Sequence, residues 1–308
     1  MAALLKTAQK AKTTEEFIHV CKQANLEGAQ LVADQLETRA ENALLKHFFI
    51  KIMEEFVEAC NHGCLARAQE IAELFGLTVE DIRGQKSKAL RRACQNGHMA
   101  VAQWLADHFG LTAKDDSSSG KEALYKACIS GRLEIAQWLV ECFALTAEDV
   151  RAANNYALRC ACNNGNLNVA QWLVERFDLT ATDARAYGNF ALRFACNNGH
   201  LDVAQWLTKR FGLTAKDARA QGNNALLWAC ENGHPDVAQW LVERFDLTAE
   251  DARANDNYAL REAYTRGRID IAQWLVDRFD ITDEDVLAPY PKLSPAAGPL
   301  VKFAAKLD

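Results

Sequence analysis

Ten cysteines and seven histidines draw attention first, because their spacing could hold a metal or run a redox relay. Cys60, Cys94, Cys128, Cys162, Cys196 and Cys230 recur at one interval, with Tyr264 in the next place. Three of them form CxxxH pairs, Cys94/His98, Cys196/His200 and Cys230/His234, and thiolate with imidazole is a ligand set that zinc selects. Tryptophan recurs in the same rhythm at Trp104, Trp138, Trp172, Trp206, Trp240 and Trp274. A row of indoles could stack bases or cage a methylated lysine. A third set places acid beside base, as in Asp183 with Arg185 and Asp217 with Arg219, the raw material of paired catalytic groups.

The interval decides among these readings. Each tryptophan follows the last by 34 residues, and so do the glycines from Gly63 to Gly267, the threonines from Thr78 to Thr282 and the aspartates from Asp81 to Asp285. Self-similarity at such a period marks a solenoid of stacked units. In the unit 188–220, Ala191, Leu192, Ala195 and Cys196 fall on one helical face. Asn198-Gly199 stops that helix, glycine supplying the left-handed cap residue. Leu201, Val203, Ala204, Trp206, Leu207 and Phe211 then form a second apolar stripe. Thr214 followed by Asp217 is a capping-box-like pair, which predicts a short helical turn there rather than a β-finger. A pair of helices this short cannot bury its apolar face alone; stacking buries it continuously.

The unit resembles the ankyrin repeat. Phe190-Ala191-Leu192-Arg193-Phe194-Ala195-Cys196 stands where that family carries T-P-L-H-x-A, followed by the family's Gly-His as Gly199-His200. Val203-Ala204-Gln205-Trp206-Leu207 matches its second-helix run. The resemblance covers roughly 51–288 and more faintly 13–38. It departs by one extra residue, by aromatic-Ala in place of Thr-Pro, and by LTAxDAR in place of the glycine-rich finger. Units of this kind also look similar to ankyrin arrays of amoebae and of the large DNA viruses that infect them. The implied fold is all-α, a solenoid of about eight stacked ankyrin-like helix pairs with helical turns replacing the β-fingers. Residues 1–50 read as an N-terminal cap containing a degenerate repeat, opened by a capping box at Thr13–Glu16. Residues 51–288 read as seven 34-residue units, and 289–308, with four of the five prolines, as a C-terminal tail.

Repetition turns most of the apparent chemistry into packing. Equivalent positions in neighbouring units lie roughly 8–10 Å apart, too far for a disulfide or a shared zinc. The family has a small buried alanine at the cysteine position, so the thiols are expected to be core. The tryptophans replace a buried aliphatic and share a stripe with Val203 and Leu207, so they too are expected in the core. An Asp–Arg pair in nearly every unit suits a helix cap with a solvated or bridging charge, because a catalytic constellation is singular. His98, His200 and His234 read as structural. No phosphate loop, nucleophile elbow, HExxH or EF-hand pattern occurs, and neither an enzymatic role nor a cofactor or metal is expected.

What remains informative is what the repeat leaves free. Two residues before the cysteine the chain reads Glu58, Arg92, Lys126, Cys160, Phe194, Trp228 and Glu262. One residue after it come Asn61, Gln95, Ile129, Asn163, Asn197, Glu231 and Thr265. These columns are three apart on the first helix and share a face. Varied residues on a constant scaffold suit recognition, with Phe194 and Trp228 as an aromatic centre and charges toward the ends. Arg92, Gln95, Lys126, Ile129, Phe194, Asn197, Trp228, Glu231 and Glu262 are therefore the expected partner-binding residues, and a protein the expected partner. The alternative is a spacer whose C-terminal tail recruits the partner. A net charge of -6 gives no electrostatic ground for nucleic acid or anionic lipid. The start shows no signal-peptide pattern and no apolar run reaches membrane-span length. A monomer in the reducing cytoplasm is expected, the host cell's cytoplasm should the chain be viral.

Overall fold

The computed structural model describes residues 43–84, 87–111 and 117–281. The expected Thr13–Glu16 capping box and the tail 289–308 lie outside them. The described residues group into two compact units dividing between Leu145 and Thr146. The first holds α1 (Ala43–Asn61) with α2 (Leu65–Phe75), a short α3 (Val79–Gly84), α4 (Lys88–Asn96) with α5 (Met99–His108), and α6 (Ser117–Ile129) with α7 (Leu133–Cys142). Within it, α1 packs on α4 and α4 on α6, while α2, α5 and α7 lie along their own first helices.

The second unit repeats this plan four times. It runs α8 (Ala147–Asn163), α9 (Leu167–Arg176), α10 (Ala181–Ala184), α11 (Ala186–Asn197), α12 (Leu201–Phe211), α13 (Ala215–Ala218), α14 (Ala220–Asn232), α15 (Pro235–Phe245), α16 (Ala249–Ala252), α17 (Ala254–Thr265) and α18 (Ile269–Phe279). First helices stack in the order α8, α11, α14, α17, each backed by its second helix. No strand occurs among the described residues; α10, α13 and α16 are the helical turns that the Thr-x-x-Asp pattern predicts.

Between each helical turn and the next first helix, the chain makes a left-handed turn. Tyr187, Gly188 and Asn189 have φ of 54°, 67° and 59°; Gln221, Gly222 and Asn223 follow with 56°, 72° and 63°. Three such residues in succession strain most L side chains, which explains why the positions favour Gly, Asn and Asp. Gly199, at φ 75°, ends the following helix as expected. It also does a second job: a Cβ there would lie 2.5 Å from Nδ1 of His234, so the next unit's imidazole seats in the space that glycine leaves.

The interior is made of small and branched residues. Leu192, Ala195, Cys196, Val203, Ala204 and Leu207 are at most 1% exposed, and truncating a buried leucine such as Leu207 costs about 2–5 kcal/mol. The column cysteines are buried here as expected. The tryptophans correct an expectation. All six are half-buried, at the margin of the core rather than inside it. Trp172, Trp206, Trp240 and Trp274 meet the phenylalanine five residues on edge to face, with ring centroids 5.7–6.1 Å apart. The helix stripe continues past the point where the neighbouring unit covers it, and the large indole fills that border.

One carboxylate per repeat ties the second unit together. Thr214 donates its backbone N–H to Asp217 Oδ2 at 2.8 Å, closing the cap of α13. Arg185 of the preceding repeat donates Nε to Asp217 Oδ1 at 2.7 Å and Nη2 to Oδ2 at 3.0 Å. Arg219 grips Asp251 in the same way, at 2.7 and 2.8 Å, and Arg151 reaches Asp183 at 3.1 Å. The Asp–Arg pairs adjacent in sequence thus bond across repeats rather than to each other. Burial by itself would raise the carboxyls of Asp217 and Asp251, but the arginine and threonine hydrogen bonds outweigh it and hold both below the usual carboxylate range. At Asp183, Thr180, Asn155 and Arg151 likewise outweigh burial. A folded-state carboxyl below its unfolded value stabilises above the unfolded value, about 3.9, and that contribution disappears as pH falls through the folded value. His234 is lowered chiefly by burial, so it withdraws stability earlier, as pH drops below about 6.5. Thermal melts across pH are expected to show a small decline from about pH 6.5 and a steep one below about pH 4; an unchanged midpoint down to pH ~3 would contradict the ladder.

Candidate functional site

The first helices of the second unit carry a run of rings that no packing rule requires. Phe190 and Phe194, one turn apart on α11, stack with centroids 3.8 Å apart. Phe194 meets Trp228 of α14 edge on at 5.3 Å, and Tyr187, in the left-handed turn, lies 6.0 Å from Phe190. Tyr187 is 63% exposed and Tyr156 38%, among the few large apolar side chains facing solvent. The two aromatics expected as the centre of recognition, Phe194 and Trp228, are both half-buried and in contact.

Two arginines lie beneath these rings. The Arg159 guanidinium is 4.6 Å from the Phe190 ring centre, 4.8 Å from Tyr187 and 5.4 Å from Tyr156. Arg193 is 5.4 Å from Trp228 and 5.9 Å from Phe194. Their exposures are 8% and 6%. Each also closes a left-handed turn: Arg159 donates Nη2 to the Ala153 carbonyl at 3.0 Å, and Arg193 donates Nε to Gly188 at 2.7 Å and Nη2 to Tyr187 at 3.2 Å. Burial lowers the Arg193 ionisation below its ordinary value. Neither guanidinium has a carboxylate partner among the described residues, and Arg159 Nε has no hydrogen-bond acceptor there. The rings supply part of the compensation, a desolvated cation–π contact contributing about 2 kcal/mol. Arg91, at the equivalent position in the first unit, instead pairs with Glu122 at 3.3 Å.

The column following the cysteines also makes bonds between repeats. Glu231 is buried, accepting a bond from Tyr258 Oη at 2.9 Å and pairing with Arg266 of the next repeat. Asn197 accepts from Asn232 at 3.0 Å, and Asn163 from Asn198. Asn61 does the same for Asn96 at 2.8 Å. These residues join repeats to one another, so Glu231 and Asn197 have a stacking role beside the partner contact expected of them. Glu262 is half-buried, 3.6 Å from Arg266. Arg92, Gln95, Lys126 and Ile129 belong to the first unit. There Arg92 is exposed and donates to Gln95 at 3.4 Å, while Lys126 and Ile129 are half-buried. Tyr156, Tyr187, Phe190 and both buried arginines were not singled out by the sequence; the two aromatics of Tyr187-Gly188-Asn189-Phe190, beside Arg193, are the signal that carried them.

The metal and redox readings find no geometry. Among the described residues no three His, Cys, Asp or Glu side chains converge on a metal-sized space. His98 bonds the Asn61 carbonyl at 3.0 Å, a structural role. Burial pushes the Cys60 thiol up to about 12 and raises Cys94, Cys162, Cys196 and Cys230 further, which keeps them protonated and inert.

Stacked helix pairs at this period define a helical repeat protein. A family model for ankyrin repeats matches residues 56–152, 143–217 and 209–285, and the chain belongs to the ankyrin-repeat family. Members of that family are in general protein–protein interaction modules, typically without catalytic activity. No curated protein matches the sequence. No described helix is long and apolar enough to cross a membrane.

Native labelling with a water-soluble thiol reagent, mapped by peptide mass spectrometry, is expected to modify exposed Cys64 rapidly and Cys196 and Cys230 only after denaturation. Equal native rates at Cys64 and Cys196 would refute the packing assignment.

Proposed function

We propose that this chain is a non-catalytic adaptor, a monomer that binds a partner protein on the first-helix face of its second unit, around Phe194 and Trp228. The observation carrying this reading is the contiguous run Tyr187, Phe190, Phe194 and Trp228. Its rings stay partly open to solvent on first helices whose alanine, leucine and cysteine positions, such as Ala191, Leu192, Ala195 and Cys196, are buried. Exposed apolar clusters of this kind mark interaction sites, and tryptophan and tyrosine are the side chains most often found to carry binding energy. Free buried thiols suit a reducing compartment such as the cytoplasm.

The test compares two tryptophans in partner capture from a lysate of the native cell. Trp228→Ala is expected to weaken capture by about 2 kcal/mol, roughly thirtyfold, with little change in melting temperature. Trp206→Ala, which removes the ring bordering Phe211, is expected to lower the melting temperature and leave the folded fraction able to bind. Undiminished capture by Trp228→Ala would remove the proposed face.

A further inference from the structure

The aromatic run does not stand on a neutral base. Arg159 and Arg193 are both more than nine-tenths buried, lie against its inner side, and lack a carboxylate among the described residues. The sequence around them offers none either. No acidic residue occurs from Val150 to Val174, from Arg185 to Leu201, or from Arg219 to Cys230. The first acid after Cys230 is Glu231, already engaged by Tyr258 and Arg266. A protein with a net charge of -6 thus keeps an aromatic run backed by two buried arginines that no described carboxylate pairs. Buried charges normally carry a partner, because a low-dielectric surrounding strengthens the field of an uncompensated ion. Here that field emerges through the rings. A cation behind an aromatic ring draws electron density inward, making the outer face a better site for an anion or for an electron-rich ring.

We propose that this patch receives an acidic peptide segment with an aromatic or large apolar anchor, the anchor seating against Tyr187, Phe190 and Trp228 and the flanking carboxylates facing Arg159 and Arg193. The proposal rests on the partner-binding reading and names the chemistry of the partner. Tyr187 is the outermost contact. Arg159 closes the turn before Tyr156, so it fixes the position of the patch as well as its charge. The salt dependence follows: the carboxylate contribution is screened over about 8–10 Å at ordinary ionic strength, whereas the anchor's contribution is not. The same chemistry argues against a nucleic acid, whose backbone is held by several cations along its length; the patch offers two, Arg159 and Arg193.

The probes are three fluorescein-labelled ligands offered to the full-length chain in a polarisation titration. One is a short peptide with phenylalanine and leucine among aspartates, the second has lysine for every aspartate, and the third is a single-stranded oligonucleotide. The aspartate peptide is expected to bind at least about tenfold more tightly than the other two and to weaken as salt is raised. Tyr187→Ala, at an exposed side chain, and Arg193→Met, both checked for folding by circular dichroism, are each expected to lower its affinity about tenfold. Equal or tighter binding of the lysine peptide or the oligonucleotide overturns the proposal, as does failure of the aspartate peptide to bind. So does an aspartate-peptide affinity indifferent to Tyr187→Ala. These outcomes separate from failure of the face itself, since lysate capture lost in Trp228→Ala while the aspartate peptide does not bind would retain the face and discard the acidic class.

Discussion

The second unit depends on a carboxylate that belongs to two repeats at once. Asp217 ends one helix-initiating cap and receives the guanidinium of the repeat before it, through bonds of 2.7–3.0 Å. A surface ion pair of this length would contribute little, but this carboxylate is almost covered, its side chain 7% exposed. It is also hydrogen-bonded at both oxygens, so removing either partner strands a desolvated group at a cost of about 1–3 kcal/mol. The period of the protein follows from this arrangement. Thr214 and Asp217 set the start of a helical turn, and Arg185 fixes the distance to the previous one, so each unit is measured against its neighbour.

The same constraint determines what the protein can display. Once the helical turn is anchored, the chain must reverse before the first helix, and it does so through three left-handed residues. That reversal lifts the side chain of its first residue off the stack, where Tyr187 stands 63% exposed. Arg193 in turn fixes the reversal by bonding the Gly188 and Tyr187 carbonyls. The display of an aromatic at the turn and the burial of a cation below it are thus one structural event. Stacking contacts repeat because every interface has the same geometry.

The sequence made much of this legible. Fixed spacing gave the solenoid, the Thr-x-x-Asp pattern gave the helical turns, and the repetition of cysteine correctly argued for packing over chemistry. Three features were hidden for definable reasons. Glu231 and Asn197 sit in a column that varies, yet their partners lie on the next repeat, at Arg266 and Asn232, and such bonds leave no trace in the periodicity of one helix. The tryptophans follow an apolar stripe, but a stripe shows direction and not where the neighbouring repeat stops covering it. Arg159 and Arg193 occupy a position that elsewhere holds Val57, Arg91, Tyr125, Leu227 and Arg261, and an arginine at a changeable position reads as solvated. Only the placement of the Tyr187 and Phe190 rings shows that it is enclosed.

Amide hydrogen exchange on Asp217→Asn, compared with the parent chain, tests the account most directly. If the carboxylate couples repeats, protection falls together in α11, α13 and α14, because the Arg185 end and the Thr214 end both lose their anchor. Loss of protection confined to Ala215–Ala218, with α11 and α14 unchanged, would show that the units hold their register without it.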